Sequence, residues 1–350
     1  MDLSISDEKQ FRNKITMFSF WLSVGVIGIH TYNIESYALN MNTDNLSQMI
    51  IYIENWFREI QNICVPFFFI ISGYLFFRTF EWSKLFDKYK SRLRTIFVPY
   101  IIWCSLYYIY FCLLSHISIT RGYINNGLPI PVNLVTWLDW LWVDSYYTMW
   151  FLKDLILLII CTPIIYLFLK NRKNIPTGAG VLIILWFVNM AVSRITDVNL
   201  NSLILYSVGA YVGINHKAVP LIERTLVVYL SRICIIIILL INTFFIEQKI
   251  LSNLLLQILM CISLWYAISG SYFTKQLPWW CKISFYIYCI HDFFLEAIEK
   301  LFLIVCGKAS VFALLDYILA PIIVVILCIL SATFLKKYCK HMWYVLVGGR

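Results

Sequence analysis

FSFWLSVGVIGIHTYN, residues 18–33, is an apolar run of membrane length with one ionisable side chain, His30, near its far end. A bilayer span needs about twenty mostly apolar residues, and this stretch with its flanks supplies them. A neutral imidazole both takes and gives a proton near pH 7. At membrane depth it costs free energy, so His30 is a candidate functional group. The competing reading is a histidine bonded to a neighbouring helix without chemistry.

The rest of the chain has the same character. Its 350 residues are 61% hydrophobic, 17% aromatic and 13% charged, with a mean hydropathy of +0.77. A soluble domain carries nearer a quarter charged residues. The fold class expected is all-α integral membrane, as a single transmembrane domain over residues 1–350. Most of the 11 cysteines sit inside apolar runs, with no C-x-x-C pair and no Cys/His cluster at ligand spacing. Neither a disulfide framework nor a metal site is indicated. The N-terminus, MDLSISDEKQFRNK, does not read as a cleaved signal peptide, because the apolar run after it is too long and lacks a small-residue cleavage site.

Apolar periodicity predicts about ten transmembrane helices. They lie over residues 15–35, 60–77, 96–115, 150–169, 178–193, 199–214, 226–246, 250–269, 283–306 and 312–335. An even number puts both termini on one side. The termini and even-numbered loops hold most of the lysines and arginines, among them Lys9, Arg12, Arg78, Lys84, Lys88, Arg172, Lys173, Lys217, Arg224, Lys336 and Lys337. The opposite loops hold Arg58, Arg121, Arg194, Lys249 and Lys308. By the positive-inside rule both termini are cytoplasmic. The net charge of +9 is then a topology signal, and no nucleic-acid partner is expected.

Two outer loops are long. Residues 36–59 carry Asp44, Glu54 and Glu59, with Glu35 just before them. Residues 116–149 hold RGYINNGLPIPVN and the aromatic TWLDWLWVDSYYTMW, which suits a membrane interface or a sugar-binding rim.

Several stretches are candidates for chemistry. VPFFFIISGYLFFR brings Ser72 and Gly73 into the second span, where small residues allow close helix approach. YKSRLRTIFVPY sets Lys90, Arg92 and Arg94 before Pro99. Cations clustered there fit either the phosphates of an anionic cofactor or plain anchoring on anionic lipid. WFLKDL opens the fourth span with Trp150, Lys153 and Asp154, where a polar cavity and snorkelling compete. KISFYIYCIHDFFLEAIEK places Tyr288, Asp292, Glu296 and Glu299 in one helical stripe that cannot face lipid. His291 lies about 100° around from that stripe. The sequence does not say whether this stripe and His30 are adjacent.

In this order the stretches resemble the acyltransferase-3 family of bacterial membrane acyltransferases. The carriers are VGVIGIHTYN, VPFFFIISGYLFF, RTIFVPYIIW, MWFLKDLILL and KISFYIYCIHDFF. The resemblance runs from about Phe18 to the C-terminus. It implies a ten-helix bundle in the bacterial cytoplasmic (inner) membrane that takes an acyl group, commonly acetyl, from cytoplasmic coenzyme A. The acceptor would be a hydroxyl of an envelope polysaccharide or lipid-linked glycan on the outer face. It also implies that His30 is the essential histidine and that Arg92 and Arg94 belong to the donor site. Relatives often carry an arginine about three turns before the histidine, where this chain has Ser19, and R-x-x-R before the proline, where this chain has R-x-R.

The expectation is therefore a membrane O-acyltransferase. Its partners are membrane lipid, acyl-CoA (acetyl-CoA first) as donor substrate and a glycan or glycolipid acceptor, with no permanently bound cofactor. His30 is the catalytic candidate, as general base or as a covalent acyl carrier. Lys90, Arg92 and Arg94 are the donor-binding candidates. Glu35, Trp150, Lys153, Tyr288 and Asp292 are the substrate-binding candidates, with Tyr32 and Asn33 beside His30 as further groups that could orient it. A small-molecule transporter, for example of an amino acid, fits the polar stripe of the ninth span as an alternative. A structural partner in an envelope-polysaccharide complex is a third reading.

Overall fold

The computed structural model describes residues 5–39, 44–122, 127–142, 147–170, 175–195, 200–215 and 225–349. The expected loop cations Arg172, Lys173, Lys217 and Arg224, and parts of the long 116–149 loop, lie outside the described residues. Among the described residues every regular element is helical. In chain order the α-helices are α1 (Ile5–His30), α2 (Asn45–Gln61), α3 (Cys64–Arg78), α4 (Leu85–Arg92), α5 (Val98–His116), α6 (Ser118–Arg121), α7 (Leu134–Trp142) and α8 (Trp150–Ile160). They continue with α9 (Thr162–Leu169), α10 (Ile175–Ile195), α11 (Asn201–Asn215), α12 (Thr225–Phe244), α13 (Leu254–Ala267), α14 (Ser284–Cys306), α15 (Ser310–Tyr338) and α16 (Lys340–Leu346).

A helix covers each stretch in which the sequence places a span. Four described helical segments are long and apolar enough to cross a bilayer: Asn45–Arg78, Trp82–His116, Thr225–Phe244 and Ser310–Tyr338. The number becomes 6 if two bent pairs each count as one span. One of these pairs is α8 with α9, which turn by 62°. Pro163 follows that break, and a proline removes a helical donor and crowds the preceding turn. α14 carries the polar stripe of Tyr288, Asp292, Glu296 and Glu299, and Lys300 pairs with Glu296 at 3.3 Å.

The sequence leaves residues 36–59 as an outer loop, but most of that stretch is α2. Asp44 caps it, its side chain accepting the Ser47 N–H. Hydrogen bonds from Ser47 hold the Asp44 carboxyl below its usual range. α2 turns Ile50, Ile51, Glu54 and Glu59 inward, a helical spacing that the acidic content of the segment disguises.

The chain divides into two compact units, one of Met1–Phe80 with Pro163–Ser331, the other of Glu81–Thr162 with Ala332–Arg350. In the first unit α1 and α14 run parallel. Ser23 Oγ donates to the Ser284 carbonyl at 3.1 Å, and two turns later in both helices His30 meets His291. Small residues set the remaining packing. A methyl group on Gly209 would strike the Ile70 carbonyl, and one on Gly73 the Tyr206 carbonyl, so α3 and α11 pack backbone to backbone. Gly25 and Gly28 instead make room for the Cys64 and Gln61 side chains, while Phe18 stacks on Phe67 with ring centroids 5.3 Å apart. α2 is fastened to α12 by the Trp56 indole N–H, which donates to Thr243 Oγ1 at 2.9 Å.

In the second unit α5 organises the turn-rich segment after it. The Tyr108 hydroxyl donates to the Pro131 carbonyl at 2.8 Å, and the Trp137 indole N–H donates to Ser105 Oγ at 3.0 Å. At the other end of α5 the Trp103 indole N–H donates to the Leu346 carbonyl at 3.0 Å.

Candidate functional site

α1 ends at His30, where the Thr31 N–H still reaches the Ile27 carbonyl and the Thr31 hydroxyl donates to the Gly28 carbonyl at 2.9 Å. The His30 and His291 ring centroids are 5.4 Å apart with planes inclined by 36°. His291 is wholly buried. Its Nδ1 lies 2.8 Å from the Tyr288 carbonyl and 3.2 Å from the Ile287 carbonyl. Carbonyls only accept, so Nδ1 carries the proton and Nε2 keeps its lone pair. Among the described residues that Nε2 has no hydrogen-bond partner. On the α2 side the Arg58 guanidinium lies over the Tyr32 ring at 4.1 Å, within electrostatic reach of His30. The Tyr32 hydroxyl in turn donates to Asn55 Oδ1 at 3.2 Å.

The backbone leaving His30 is fixed by buried polar groups. The Asn33 N–H donates to Glu54 Oε2 at 3.1 Å, and the Asn33 carboxamide donates to the Ala313 carbonyl at 3.1 Å and to Asp316 Oδ2 at 3.4 Å. The Tyr37 hydroxyl also donates to Asp316 Oδ2, at 3.3 Å. Asn33, Glu54 and Asp316 are each at most 1% exposed. Among the described residues Asn33 Oδ1, Glu54 Oε1, Asp316 Oδ1 and Glu299 Oε1 find no hydrogen-bond partner. Unmatched acceptors at such depth are costly.

The substrate-binding candidates divide. Tyr288 and Asp292 are buried on α14 on either side of His291 in the chain, with the Tyr288 ring 6.3 Å from the His291 ring. Glu35 does not join them. It is exposed in the turn after α1, where its carbonyl accepts the Ala38 N–H. Trp150 and Lys153 belong to the second unit. Trp150 is 41% exposed, and Lys153 Nζ donates to the Trp142 carbonyl at 3.3 Å.

The donor-binding candidates also lie in the second unit. Lys90 and Arg92 are in the last turn of α4, and Arg94 is in a single π-helical turn, Leu93–Phe97. Pro99 has no N–H to offer the Thr95 carbonyl, which favours a widened turn just before it. Lys90 and Arg94 are exposed and Arg92 half-buried. The Arg94 guanidinium lies 4.9 Å from the centre of the Tyr344 ring, on α16. Among the described residues no group of three or more His, Cys, Asp and Glu side chains could hold a metal ion.

Sequence reasoning noticed His291 without giving it a role, and it left Glu54 and Asp316 out of the site. No sequence signal pairs the two histidines, because the parallel packing of α1 and α14 that joins Ser23 to Ser284 and His30 to His291 exists only in the fold.

The acyltransferase domain family matches residues 20–337 of the chain. The chain is also 21% identical over 361 residues to the "Succinoglycan biosynthesis protein ExoH" of Rhizobium meliloti (strain 1021), an alignment covering 96% of this chain and 92% of that protein. No solved structure matches the chain.

Proposed function

The chain belongs to the acyltransferase domain family, and we propose that it is a membrane O-acyltransferase for an extracytoplasmic polysaccharide or lipid-linked glycan. The family match over residues 20–337 carries this reading. The similarity to a protein named for succinoglycan biosynthesis supports a polysaccharide acceptor. The proposed donor is cytoplasmic acyl-CoA, with acetyl-CoA as the first candidate. The proposed setting is the bacterial cytoplasmic membrane, crossed by about ten spans with both termini cytoplasmic.

His30 acts as general base. It takes the proton of the acceptor hydroxyl as that oxygen attacks the thioester carbonyl, a contribution of about 10²–10⁴ in rate. The new C–O bond replaces the C–S bond, and the departing sulfur takes up the proton. Lys90, Arg92 and Arg94 hold the donor's phosphates. Arginine suits this task because its planar fork offers two parallel N–H bonds to phosphate oxygens.

The test is thiol release from acetyl-CoA by purified protein in liposomes, with wild type compared to His30→Ala. Release that needs His30 supports the reading, and undiminished release by His30→Ala removes it. Uptake of a labelled amino acid without any thioester would replace the enzyme with a transporter.

A further inference from the structure

We infer that His291 is a positioning residue for His30, receiving its N–H so that the opposite ring nitrogen faces the acceptor hydroxyl. The inference rests on the reading of His30 as the base. Its own support is geometric. The carbonyls of Tyr288 and Ile287 fix the His291 proton on Nδ1, which makes Nε2 an obligatory acceptor. That nitrogen is fully buried and lacks a donor among the described residues.

Two imidazoles joined by an N–H···N bond of about 2.9 Å have centroids roughly 5 Å apart. The observed 5.4 Å is close to that separation. Catalytic hydrogen bonds commonly tighten only once substrate is bound. The parallel pairing of α1 and α14 keeps the rings at one level. Neutral His30 has one N–H and one lone pair, so giving the N–H to His291 leaves the lone pair for the hydroxyl. This is the orienting task that a carboxylate performs in a Ser-His-Asp triad, assigned here to a neutral acceptor.

The proton inventory balances. The hydroxyl O–H breaks, its proton binds the His30 ring nitrogen opposite His291, and the resulting imidazolium shares its other proton with His291 Nε2. When the C–S bond breaks, the electron pair leaves with sulfur and the imidazolium returns a proton to it. His291 ends the cycle unchanged.

The experiment compares wild type, His30→Ala, His291→Leu and His291→Gln in thiol release from acetyl-CoA, each first checked for an unchanged thermal midpoint. His291→Leu should lower kcat by about 10²-fold with the KM for acetyl-CoA unchanged. His291→Gln, whose amide oxygen can accept the same N–H, should recover most of the loss. If His291→Leu does not reach a folded state, His291→Gln alone decides, and it must keep more than a tenth of wild-type kcat. Wild-type kcat in His291→Leu overturns the inference while leaving the function intact, as does a Gln variant no better than Leu. Thiol release that ignores His30 removes the proposed function, and this inference with it.

Discussion

At His30 the chain is walled in: the neighbouring imidazole is wholly buried and the backbone that follows is tied to Glu54 and Asp316 by buried hydrogen bonds. At Arg94 it is open: the guanidinium is exposed, in a widened turn, with an aromatic ring beneath it. Under the proposed function the two regions hold their groups by different physics. The first depends on direction, because a general base needs its lone pair to meet a hydroxyl at hydrogen-bond distance and a small misplacement costs a large factor. The second depends on charge, which acts over several ångströms and tolerates motion. Substitutions should therefore lower kcat at the first and raise the donor KM at the second.

The largest effect belongs to His30→Ala, whose expected loss of thiol release makes it the reference for the others. Asn33→Ala comes next. It removes the carboxamide bonds to Ala313 and Asp316 that fix the backbone leaving His30, so the ring loses its exact placement and kcat should fall about 10- to 100-fold at a steady KM for acetyl-CoA. Steady-state thiol release measures both constants. Tyr37→Phe removes only the outer bond to Asp316 and should fall between Asn33→Ala and wild type. A rise in KM without loss of kcat in Asn33→Ala would break the contrast, because the walled-in end would then be behaving like the open one.

The legibility of these two regions in the sequence differs for a physical reason. The helices were readable nearly throughout, since apolar runs of span length leave few alternatives, and α14 and α15 lie within a few residues of their expected bounds. The basic turn was readable as well, because a charge cluster beside a proline is local information. The surroundings of His30 were not. Glu54 and Asp316 are separated from Asn33 by long stretches of chain and meet it only through tertiary packing. Glu54 was disguised further, because α2 reads as an acidic loop unless Asp44 is recognised as its cap. Glu35 is the opposite case: it is close to His30 in sequence, but the turn after α1 leaves it exposed and apart from the buried groups.

At the basic turn, Arg92→Ala and Arg94→Ala should each raise the KM for acetyl-CoA about tenfold, the scale of one charge-assisted hydrogen bond, with kcat unchanged. The increase should shrink at high salt, because an exposed guanidinium acts through a screened field. Titration of acetyl-CoA at low and high ionic strength measures this. A kcat defect without a change in KM would mean that the arginines serve the chemical step and not donor capture.

The smallest effect tests whether the open end has any directional component. The Arg94 guanidinium lies over the Tyr344 ring, and a cation over an aromatic face at an exposed site is worth about 0.5–1 kcal/mol, or roughly two- to fivefold in an equilibrium constant. Tyr344→Leu should therefore raise the KM for acetyl-CoA by that factor if the ring aims the guanidinium. Arg94→Lys should do about the same, since the ammonium keeps the charge but loses the planar stack and the two-pronged fit to phosphate. The double variant decides between orientation and separate contributions. If both single changes remove one stacked geometry, the second adds almost nothing to the first, and the cycle shows coupling. If Arg94 acts as a point charge alone, Tyr344→Leu is silent and Arg94→Lys matches wild type. The basic turn would then be governed by charge without direction, and the contrast with the histidine end would be complete.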